Sequence, residues 1–216
     1  MTDKIKIRKF QAQDKAAVRQ IVYDTALIGE SAGLFFKGQE VISDALSLYF
    51  TDYEPGSCLV AEINHQIVGY LIGAKNKVNA ETIFNRQLAI PLMLKALKCG
   101  VFLKIRNITF MLRCLKDLLI NGIKTPDFNH AYPATLHLNI KEGFRSQDIG
   151  SQLIRSYLDY LRIEGVPGVH LATMSDRGAN FFLSQGFQQL YLGKRSYFRH
   201  ILHRDVPLYI FGKLLA

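Results

Sequence analysis

A strand, an amphipathic helix and a second strand occupy residues 135–173, and this unit constrains the fold more than any other part of the chain. Thr135–Ile140 alternates apolar and polar residues, and Val169–Thr173 has the composition of a buried strand. Ile149–Glu164, between them, carries apolar residues three or four positions apart, and Gly165 follows as a helix terminator. Two strands joined through a helix lie parallel in one sheet. The sequence therefore predicts a sheet with at least one parallel pair.

The elements on either side of this unit complete a mixed α/β pattern. They are, in chain order, a strand (Ile5–Phe10), two helices (one beginning near Gln13, one over Glu40–Tyr49), a hairpin (Cys58–Glu62 with Ile67–Ile72), a short helix (Arg177–Gln185) and one or two final strands (Gln188–Leu192 and Leu208–Phe211). No repeat or linker divides the 216 residues, so we expect one domain.

The segment between the hairpin and Thr135 does not alternate like a strand. Its large apolar residues recur three or four positions apart, which predicts a helical insert over about residues 82–122, broken near Gly100 or Asn107. The apolar stripe consists of Leu94, Leu97, Val101, Ile105, Ile108, Leu112, Leu115 and Leu119. We expect the stripe to pack on the core and the Lys and Arg residues on the other faces to meet solvent. A membrane-surface helix and a site for an acidic partner are the alternatives.

Charge and cysteine content narrow the range of functions. The 27 Lys and Arg residues against 18 Asp and Glu residues give a net charge of +9, which suits a basic protein, an anionic cofactor, an acidic partner or a membrane surface. Nucleic acid is disfavoured, because the positive charges are spread along the chain without a zinc-finger or RNA-binding pattern. Cys58, Cys99 and Cys114 are too scattered for disulfides or a metal site, so we expect buried free thiols, no metal and a cytoplasmic location.

The loop Phe144–Ser151 is the segment most suited to binding a ligand. It places successive backbone N–H groups at the positive end of the following helix, where a diphosphate is favoured. The loop lacks the Gly-Lys-Ser/Thr of a phosphate-binding Walker motif, and Gly150 is its single glycine, so it is not a Rossmann fingerprint. A side chain at Gly150 is expected to crowd the diphosphate. An ordinary strand–helix connection is the alternative.

Three motifs resemble the GNAT acyltransferase superfamily. Arg145-Ser-Gln-Asp-Ile-Gly150 is similar to the superfamily pattern Arg/Gln-x-x-Gly-x-Gly/Ala at a helix start, and Gly186-Phe187 stands where the pattern has Gly-Phe. Tyr132-Pro-Ala-Thr-Leu-His-Leu-Asn-Ile140 resembles a strand of one branch, Tyr-Pro-Ala-His-Leu-His-Ile-Asp-Leu, which also inserts helices between its third and fourth strands. The resemblance implies a single GNAT-like α/β domain over residues 1–216. Its mixed central β-sheet would be flanked by helices, with the helical insert before the fourth strand.

The same resemblance implies an acetyl-CoA-dependent N-acetyltransferase. An amine would attack the thioester carbonyl directly in a ternary complex, with a backbone N–H near Ile140 stabilising the oxyanion. Candidate bases are His137, whose ordinary pKa suits proton transfer, and Glu142, which could act through water. The cofactor-binding residues implied are Leu138, Ile140, Arg145, Ser146, Gln147, Asp148, Ile149, Gly150, Ser151 and Phe182.

Three positions depart from the superfamily pattern. Asp148 replaces the first loop glycine, although aspartate tolerates left-handed backbone angles and the loop shape can survive. Phe182 replaces the tyrosine that protonates the departing CoA thiolate, and a phenyl ring has no proton to donate. Asn139 replaces an aspartate and is not a base, while Tyr191 and Tyr197 could supply the missing acid. These departures favour the alternative function, a non-catalytic acyl-CoA-binding or interaction module on the same fold.

The sequence names no particular acceptor or partner. In the resembling branch the insert precedes the fourth strand, so we expect residues 82–122 to form one wall of the acceptor cleft. The basic face of the insert would then border the cleft entrance and favour acidic or phosphate-rich amines. Peripheral membrane contact is a less favoured alternative, and homodimerisation is left open.

Overall fold

Seven strands form one mixed sheet in the order β1-β2-β3-β4-β5-β7-β6. The computed structural model describes residues 5–122 and 125–215, so residues 1–4, 123–124 and 216 of the predicted domain lie outside the described ranges. The strands are β1 (Lys6–Lys9), β2 (Cys58–Ile63), β3 (Gln66–Ala74), β4 (Ala134–Ile140), β5 (Gly168–Thr173), β6 (Gln188–Arg195) and β7 (Val206–Leu214). Neighbouring strands are antiparallel except β4 and β5, which are parallel. The parallel pair predicted from the strand–helix–strand unit is thereby confirmed.

Helices cover both faces of the sheet. In the described ranges they are α1 (Lys15–Thr25), α2 (Gln39–Asp52), α3 (Lys77–Ile83), α4 (Ala89–Lys98), α5 (Ile105–Asp117), α6 (Ile149–Ile163), α7 (Asp176–Ser184) and α8 (Arg199–Leu202). The helices α1 and α2 lie on one face, and α6 and α7 lie on the other. The mixed α/β fold class, with helices flanking a central sheet, is confirmed.

The core lies between the sheet and the apolar sides of α1 and α6. Because α6 repeats large apolar residues every three or four positions, one side of it is wholly buried, and each Leu or Ile contributes about 1.5–3 kcal/mol. On the opposite face α1 buries Val18, Ile21 and Val22 against Tyr70 and Ile72 of β3. The buried residues of α6 are Ile149, Leu153, Ile154, Tyr157, Leu158 and Leu161.

The insert between β3 and β4 contains α3, α4 and α5. It begins at Lys77, five residues before the predicted boundary. The helical run breaks at Gly100, which has a φ of 61°, and Val101–Leu103 forms a 3-10 turn before α5. Asn107, the other predicted break, lies inside α5. Its amide accepts from the Lys37 N–H at 2.7 Å and donates to the Lys37 carbonyl at 2.8 Å, which ties α5 to the segment between α1 and α2.

The apolar stripe of the insert faces away from the core, and the prediction that it packs inward is wrong. Of its eight residues Val101 is buried, Ile108 is half-buried, and the other six are at least 50% exposed. The inner side of α5 is set by Asn107 and by the buried Asp117, whose carboxylate accepts from the Ser196 N–H at 2.7 Å. Because these polar contacts and Phe110 occupy one side of the helix, the stripe on the other side points outward.

The prediction that all three cysteine thiols are buried is confirmed only for Cys58. Cys58 is buried, and burial raises the pKa of its thiol to about 12, so it stays protonated. Cys99 is exposed, contrary to the prediction, because it follows the last turn of α4 at the outer end of that helix, and Cys114 is half-buried. Within the described residues, no helix is long and apolar enough to cross a membrane. The same residues hold no cluster of three His, Cys, Asp or Glu side chains that fits a metal ion.

Candidate active site

The strands β4 and β5 start as neighbours and then diverge. Their register pairs Ala134 with Val169 and Thr135 with His170, and the pairing ends there. Each strand stays with its other neighbour, since β4 pairs with β3 as far as Ile140 while β5 pairs with β7 along its whole length. The result is a gap that opens from Thr135 toward Ile140.

The backbone of β4 presents hydrogen-bond donors to this gap. The Lys141 N–H donates to the Val68 carbonyl at 2.8 Å, so it faces β3. Because this direction alternates along an antiparallel strand, the N–H groups of His137 and Asn139 also face β3, and those of Leu138 and Ile140 face the gap. The side chains of Leu138 and Ile140 pack against the core beneath α6. An extended ligand in the gap could therefore pair with β4 as a neighbouring strand would.

The loop after β4 leads from the gap to the start of α6. Three of its residues, Gly143, Ser146 and Asp148, have positive φ angles of 86°, 68° and 59°. Asp148 stands in the left-handed region immediately before α6, as expected for the residue that replaces the first glycine of the pattern. The loop shape anticipated from the sequence is therefore present without that glycine.

The first backbone N–H groups of α6 have no intrahelical partner. Gln152 N–H donates to the Asp148 carbonyl at 3.1 Å, and Asp148 makes no side-chain cap. The N–H groups of Ile149, Gly150 and Ser151 thus precede the helical hydrogen bonds, at the positive end of a 15-residue helix. Arg177, at the start of α7, brings a cation to the same loop, with Nη2 3.3 Å from Ser146 Oγ. This arrangement suits a phosphate group.

Arg145 and Gly150 make contacts that the sequence did not indicate. Arg145 donates from Nε to the Ile140 carbonyl at 3.3 Å and from Nη2 to the Gly29 carbonyl at 3.0 Å. It therefore joins β4 to the segment after α1, and its contact with a cofactor stays a prediction. A Cβ at Gly150 would lie 2.9 Å from Phe181 Cζ. The packing of α6 against α7 therefore leaves little room for a side chain at Gly150, and the crowding of a diphosphate there stays a prediction.

A cleft of about 350 Å³ lies at the narrow end of the gap, on the face that carries α1 and α2. It is lined by His137 and Thr135 of β4, His170 and Ala172 of β5, Ile210 of β7, Lys77 and residues 125–129. Within the described ranges no residue of the predicted stretch 82–122 lines this cleft, so the wall expected from that stretch is not found here. The insert contributes Lys77, at the start of α3, to the lining. The insert nevertheless packs on this face of the molecule, since Lys95 of α4 pairs with Asp44 of α2 at 2.5 Å.

His137 of β4 is one of the two strand histidines that line this cleft, the other being His170 of β5. His137 is accessible to solvent, and its ring lies edge-on to the Phe50 ring at 5.7 Å. Desolvation by the surrounding protein and the positive charge of Lys77 lower the pKa of His137 below its usual value. At neutral pH the imidazole is therefore uncharged and can accept a proton.

The other candidate residues have different surroundings. Glu142 lies in an exposed turn beyond β4. Asn139 donates from Nδ2 to the hydroxyl of the buried Tyr70 at 2.9 Å, which gives it a structural contact. The Tyr197 hydroxyl lies 3.1 Å from Met174 Sδ, one residue beyond β5, and burial raises its pKa to about 12, so it stays protonated. Phe182 is 7% exposed and packs with its ring centroid 5.6 Å from that of Phe187.

The Phe182→Tyr variant tests whether this ring belongs to the site or only to the core. We expect a free energy of unfolding lower by about 1–3 kcal/mol and no gain in turnover, because the new hydroxyl would enter a core of aromatic rings without a partner. Thermal unfolding and turnover are measured on the same preparation. Faster turnover at unchanged stability would contradict this and place the ring beside the departing thiolate.

The sequence did not indicate His170, Asp127 or Lys77 as residues of the cleft. His170 is held by its Nδ1, which donates to the Tyr132 carbonyl at 2.6 Å, and Lys77 and Asp127 come from the two ends of the insert. None of the three belongs to a local motif, and only the sheet order brings them together. The alternation of β4, which places Thr135 and His137 on one face, was the one available signal.

The solved structures that superpose on this chain include several acetyltransferases. SsHAT superposes with a TM-score of 0.75 at 21% sequence identity, over 99% of each chain. The Drosophila melanogaster polyamine N-acetyltransferase, which catalyses the formation of N-acetylagmatine, gives 0.65 at 14% identity over 98% of this chain and 100% of its own. The protein yncA of Salmonella typhimurium, described as a candidate acetyltransferase and solved with its cofactor acetyl-CoA, gives 0.59 at 14% identity over 98% of this chain and 94% of its own.

Sequence comparisons add no further relative. No protein-family model matches the chain, and no curated protein matches it. The identities to the solved structures are low, so these likenesses establish the fold rather than the reaction. The sheet order, the parallel pair that diverges and the near-complete coverage agree with the resemblance found in the sequence. The chain has the fold of the GNAT acetyltransferases.

Proposed function

We propose that the protein is an acetyl-CoA-dependent N-acetyltransferase. The observation that carries the proposal is the gap between β4 and β5. Its edge presents the N–H groups of Leu138 and Ile140, and it leads directly to the uncapped N-terminus of α6. An extended amide chain that ends in a diphosphate is the ligand class that fits both features. The use of acetyl-CoA by yncA, which shares the fold, supports the same assignment.

Each part of acetyl-CoA has a counterpart along this path. The pantetheine amides would pair with the β4 edge over Leu138–Ile140. The diphosphate would lie against the N–H groups of Ile149, Gly150 and Ser151, beside the exposed loop residues Ser146, Gln147 and Asp148. Arg177, which already contacts that loop, would offset the phosphate charge.

The acetyl group would then lie beside the cleft that contains His137. An amine in the cleft attacks the thioester carbonyl, and the N–H of Leu138, the gap-facing donor nearest His137, stabilises the oxyanion. The Ile140 N–H, which the resemblance implied for this role, lies about 10 Å of strand from His137, toward the diphosphate, and pairs with the pantetheine. His137 accepts the proton of the attacking amine, since its lowered pKa keeps the imidazole uncharged. The CoA thiolate leaves near neutral pH because thiol pKa values are about 8.5. Tyr197, still protonated and close to the end of β5, is the candidate acid.

The acceptor is an amine that fits a mixed polar cleft. The cleft contains the Asp127 carboxylate together with two imidazoles and the Lys77 ammonium. A carboxylate beside uncharged imidazoles attracts an amine that carries a positive charge elsewhere in the molecule. Because Lys77 repels positive charge, the cleft is suited to an acceptor with few such charges. This differs from the expectation of an acidic or phosphate-rich acceptor, which depended on the basic face of residues 82–122 bordering the cleft.

The Arg177→Glu variant tests the cofactor site. We expect the dissociation constant for acetyl-CoA to rise about ten- to a hundredfold, because a charged partner of the phosphates becomes a repelling one. Titration calorimetry at low salt measures it. The matched control is Arg162→Glu, which makes the same change of charge near the C-terminus of α6, about 20 Å from the N-terminus of that helix. Equal losses in both variants would show an effect of net charge alone and would contradict the site.

The alternative function is a non-catalytic acyl-CoA-binding module. The burial of Phe182 in the core and the Asn139–Tyr70 hydrogen bond favour it, because neither position offers a catalytic group. A thiol-release assay separates the two functions: acetyl-CoA is incubated with a panel of monoamines, diamines and peptide amines, and free CoA is measured. Amine-dependent release that the Arg177→Glu variant reduces supports the transferase. Tight acetyl-CoA binding without release for any amine would support the binding module.

A further inference from the structure

The insert carries a large apolar surface that nothing in the described chain covers. We call it the insert surface, and its members lie on α4, on the 3-10 turn after it, on α5 and on the π-helical turn that follows α5. Leu103 and Ile105, at the corner between the two helices, are 89% and 76% exposed. The members, each at least 50% exposed, are Ile90, Met93, Leu94, Leu97, Leu103, Ile105, Leu112, Leu115 and Leu119.

Four exposed apolar residues of α5 and of the π-helical turn that follows it (Leu118–Gly122) lie on one side. Ile105, Leu112, Leu115 and Leu119 follow a spacing of three, four or seven residues, which places them in a single row. The opposite side of α5 carries Asn107, Phe110 and Asp117, which hold the helix against the rest of the domain. The row is therefore fixed outward by specific contacts. An exposed apolar area of this extent marks an interaction site.

The exposed ionisable side chains of α4, of the 3-10 turn and of α5 are all basic. The exposed ionisable neighbours of the insert surface are Lys98, Lys104, Arg106, Arg113 and Lys116. Within residues 82–122 the single acidic residue is Asp117, which is 2% exposed and pairs with Arg195 at 3.6 Å. The surface thus combines large aliphatic side chains with positive charge and offers no exposed carboxylate.

We propose that the insert surface docks on an anionic phospholipid bilayer, with α5 lying in the plane of the membrane interface. Aliphatic side chains would enter the boundary between headgroups and acyl chains, and the flanking Lys and Arg residues would meet the lipid phosphates. This occupant does not depend on the proposed acetyl transfer. It uses a surface separate from the cleft and from the loop before α6.

Two other occupants fit the surface less well. In a two-fold dimer through this surface, the same five basic side chains of each copy would face one another, and their repulsion opposes association. A protein interface is typically enriched in Tyr, Trp and Phe and depleted in Lys. Every member of the insert surface is Leu, Ile or Met, and three of its five charged neighbours are lysines. This composition favours a lipid surface.

Flotation of the full chain with vesicles tests the proposal. Vesicles of phosphatidylcholine alone are compared with vesicles that also contain phosphatidylserine, at low and at high salt. We expect binding to the anionic vesicles that weakens as salt is raised. We expect the partition coefficient to fall at least about tenfold in Arg113→Glu/Lys116→Glu, and as far in Leu112→Glu/Leu115→Glu.

The matched control is Ile163→Glu, which changes an aliphatic residue that is 84% exposed at the end of α6. It should bind as the unchanged protein does, and the melting temperatures of all variants should agree. The proposal is overturned if the unchanged protein does not float with anionic vesicles. It is also overturned if the paired substitutions leave binding intact. Self-association in solution that Leu112→Glu/Leu115→Glu abolishes, with no vesicle binding, would assign the surface to a second copy instead.

Discussion

Replacing His137 with glutamine is expected to lower the rate of acetyl transfer by roughly a hundredfold at neutral pH. Glutamine keeps a polar group in the cleft and removes the group that accepts the proton of the attacking amine. Binding of acetyl-CoA should change little, because His137 projects to the cleft face of β4 while its backbone pairs with β3. Steady-state rates with a saturating amine, alongside calorimetric titration of acetyl-CoA, measure both quantities.

The lowered pKa of His137 also predicts how activity changes with pH. Desolvation and the positive charge of Lys77 lower the pKa of His137 below the usual histidine value of about 6.5. The imidazole is therefore unprotonated at pH 7 and takes up a proton only at a pH below that usual value. Activity of the unchanged protein should therefore fall as the pH drops through that lowered pKa. His137→Gln should lose this acidic limb while keeping any limb that belongs to the amine. The control is Glu142→Gln, in the exposed turn, which should retain activity; the reverse order of effects would transfer the base to Glu142.

The Gly150→Val variant is expected to be markedly less stable. The first atom of the new side chain would lie 2.9 Å from Phe181 Cζ and 3.6 Å from Ile140 Cδ1. Overpacking of this kind costs about 1–3 kcal/mol. Each kcal/mol lowers the melting temperature by about 2–4 °C in a chain of this size. The loss should appear in thermal unfolding without any ligand present.

A second substitution isolates the cause. Phe181→Leu in the Gly150→Val background removes the ring atoms that the valine meets, so it should recover part of the melting temperature. Phe181→Leu alone serves as the reference for the loss of aromatic packing. If Gly150→Val instead melts at the original temperature and has lost acetyl-CoA binding, the side chain crowds the diphosphate and the packing explanation is contradicted.

The elements that follow a clear periodic pattern could be predicted from the sequence. The hairpin of β2 and β3, the helix α6 and the parallel pair of β4 and β5 each follow from spacing within a few residues. The insert shows where this reasoning ends. Its helices were indicated by the same spacing, yet the apolar row was assigned to the inner side because apolar faces usually pack inward. The actual orientation depends on Asn107 and Asp117, whose partners Lys37 and Ser196 lie 70 and 79 residues away in the chain.

In the candidate site, too, the features that depend on local sequence could be predicted, and those that depend on distant segments could not. The left-handed conformation of Asp148 and the uncapped start of α6 were expected, because both depend on the loop itself. The surroundings of Arg145, Gly150 and Phe182 depend on segments brought in by the fold, namely Gly29, Phe181 and the aromatic core. Contacts between distant segments leave no local pattern. A motif can therefore indicate the path of a cofactor without indicating which side chains along it are free.

Residue-resolved amide hydrogen exchange, with and without saturating acetyl-CoA, tests the cofactor path most directly. If the ligand lies in the gap between β4 and β5, exchange should slow at Leu138 and Ile140, whose N–H groups face the gap, and at Ile149–Ser151. His137 and Asn139 are the internal reference, because their N–H groups face β3 and are protected in either state. The predicted result is slower exchange at Leu138, Ile140 and Ile149–Ser151, with no change at His137 and Asn139. Unchanged exchange at Leu138 and Ile140 in the saturated protein would contradict the assignment of this gap as the acetyl-CoA site.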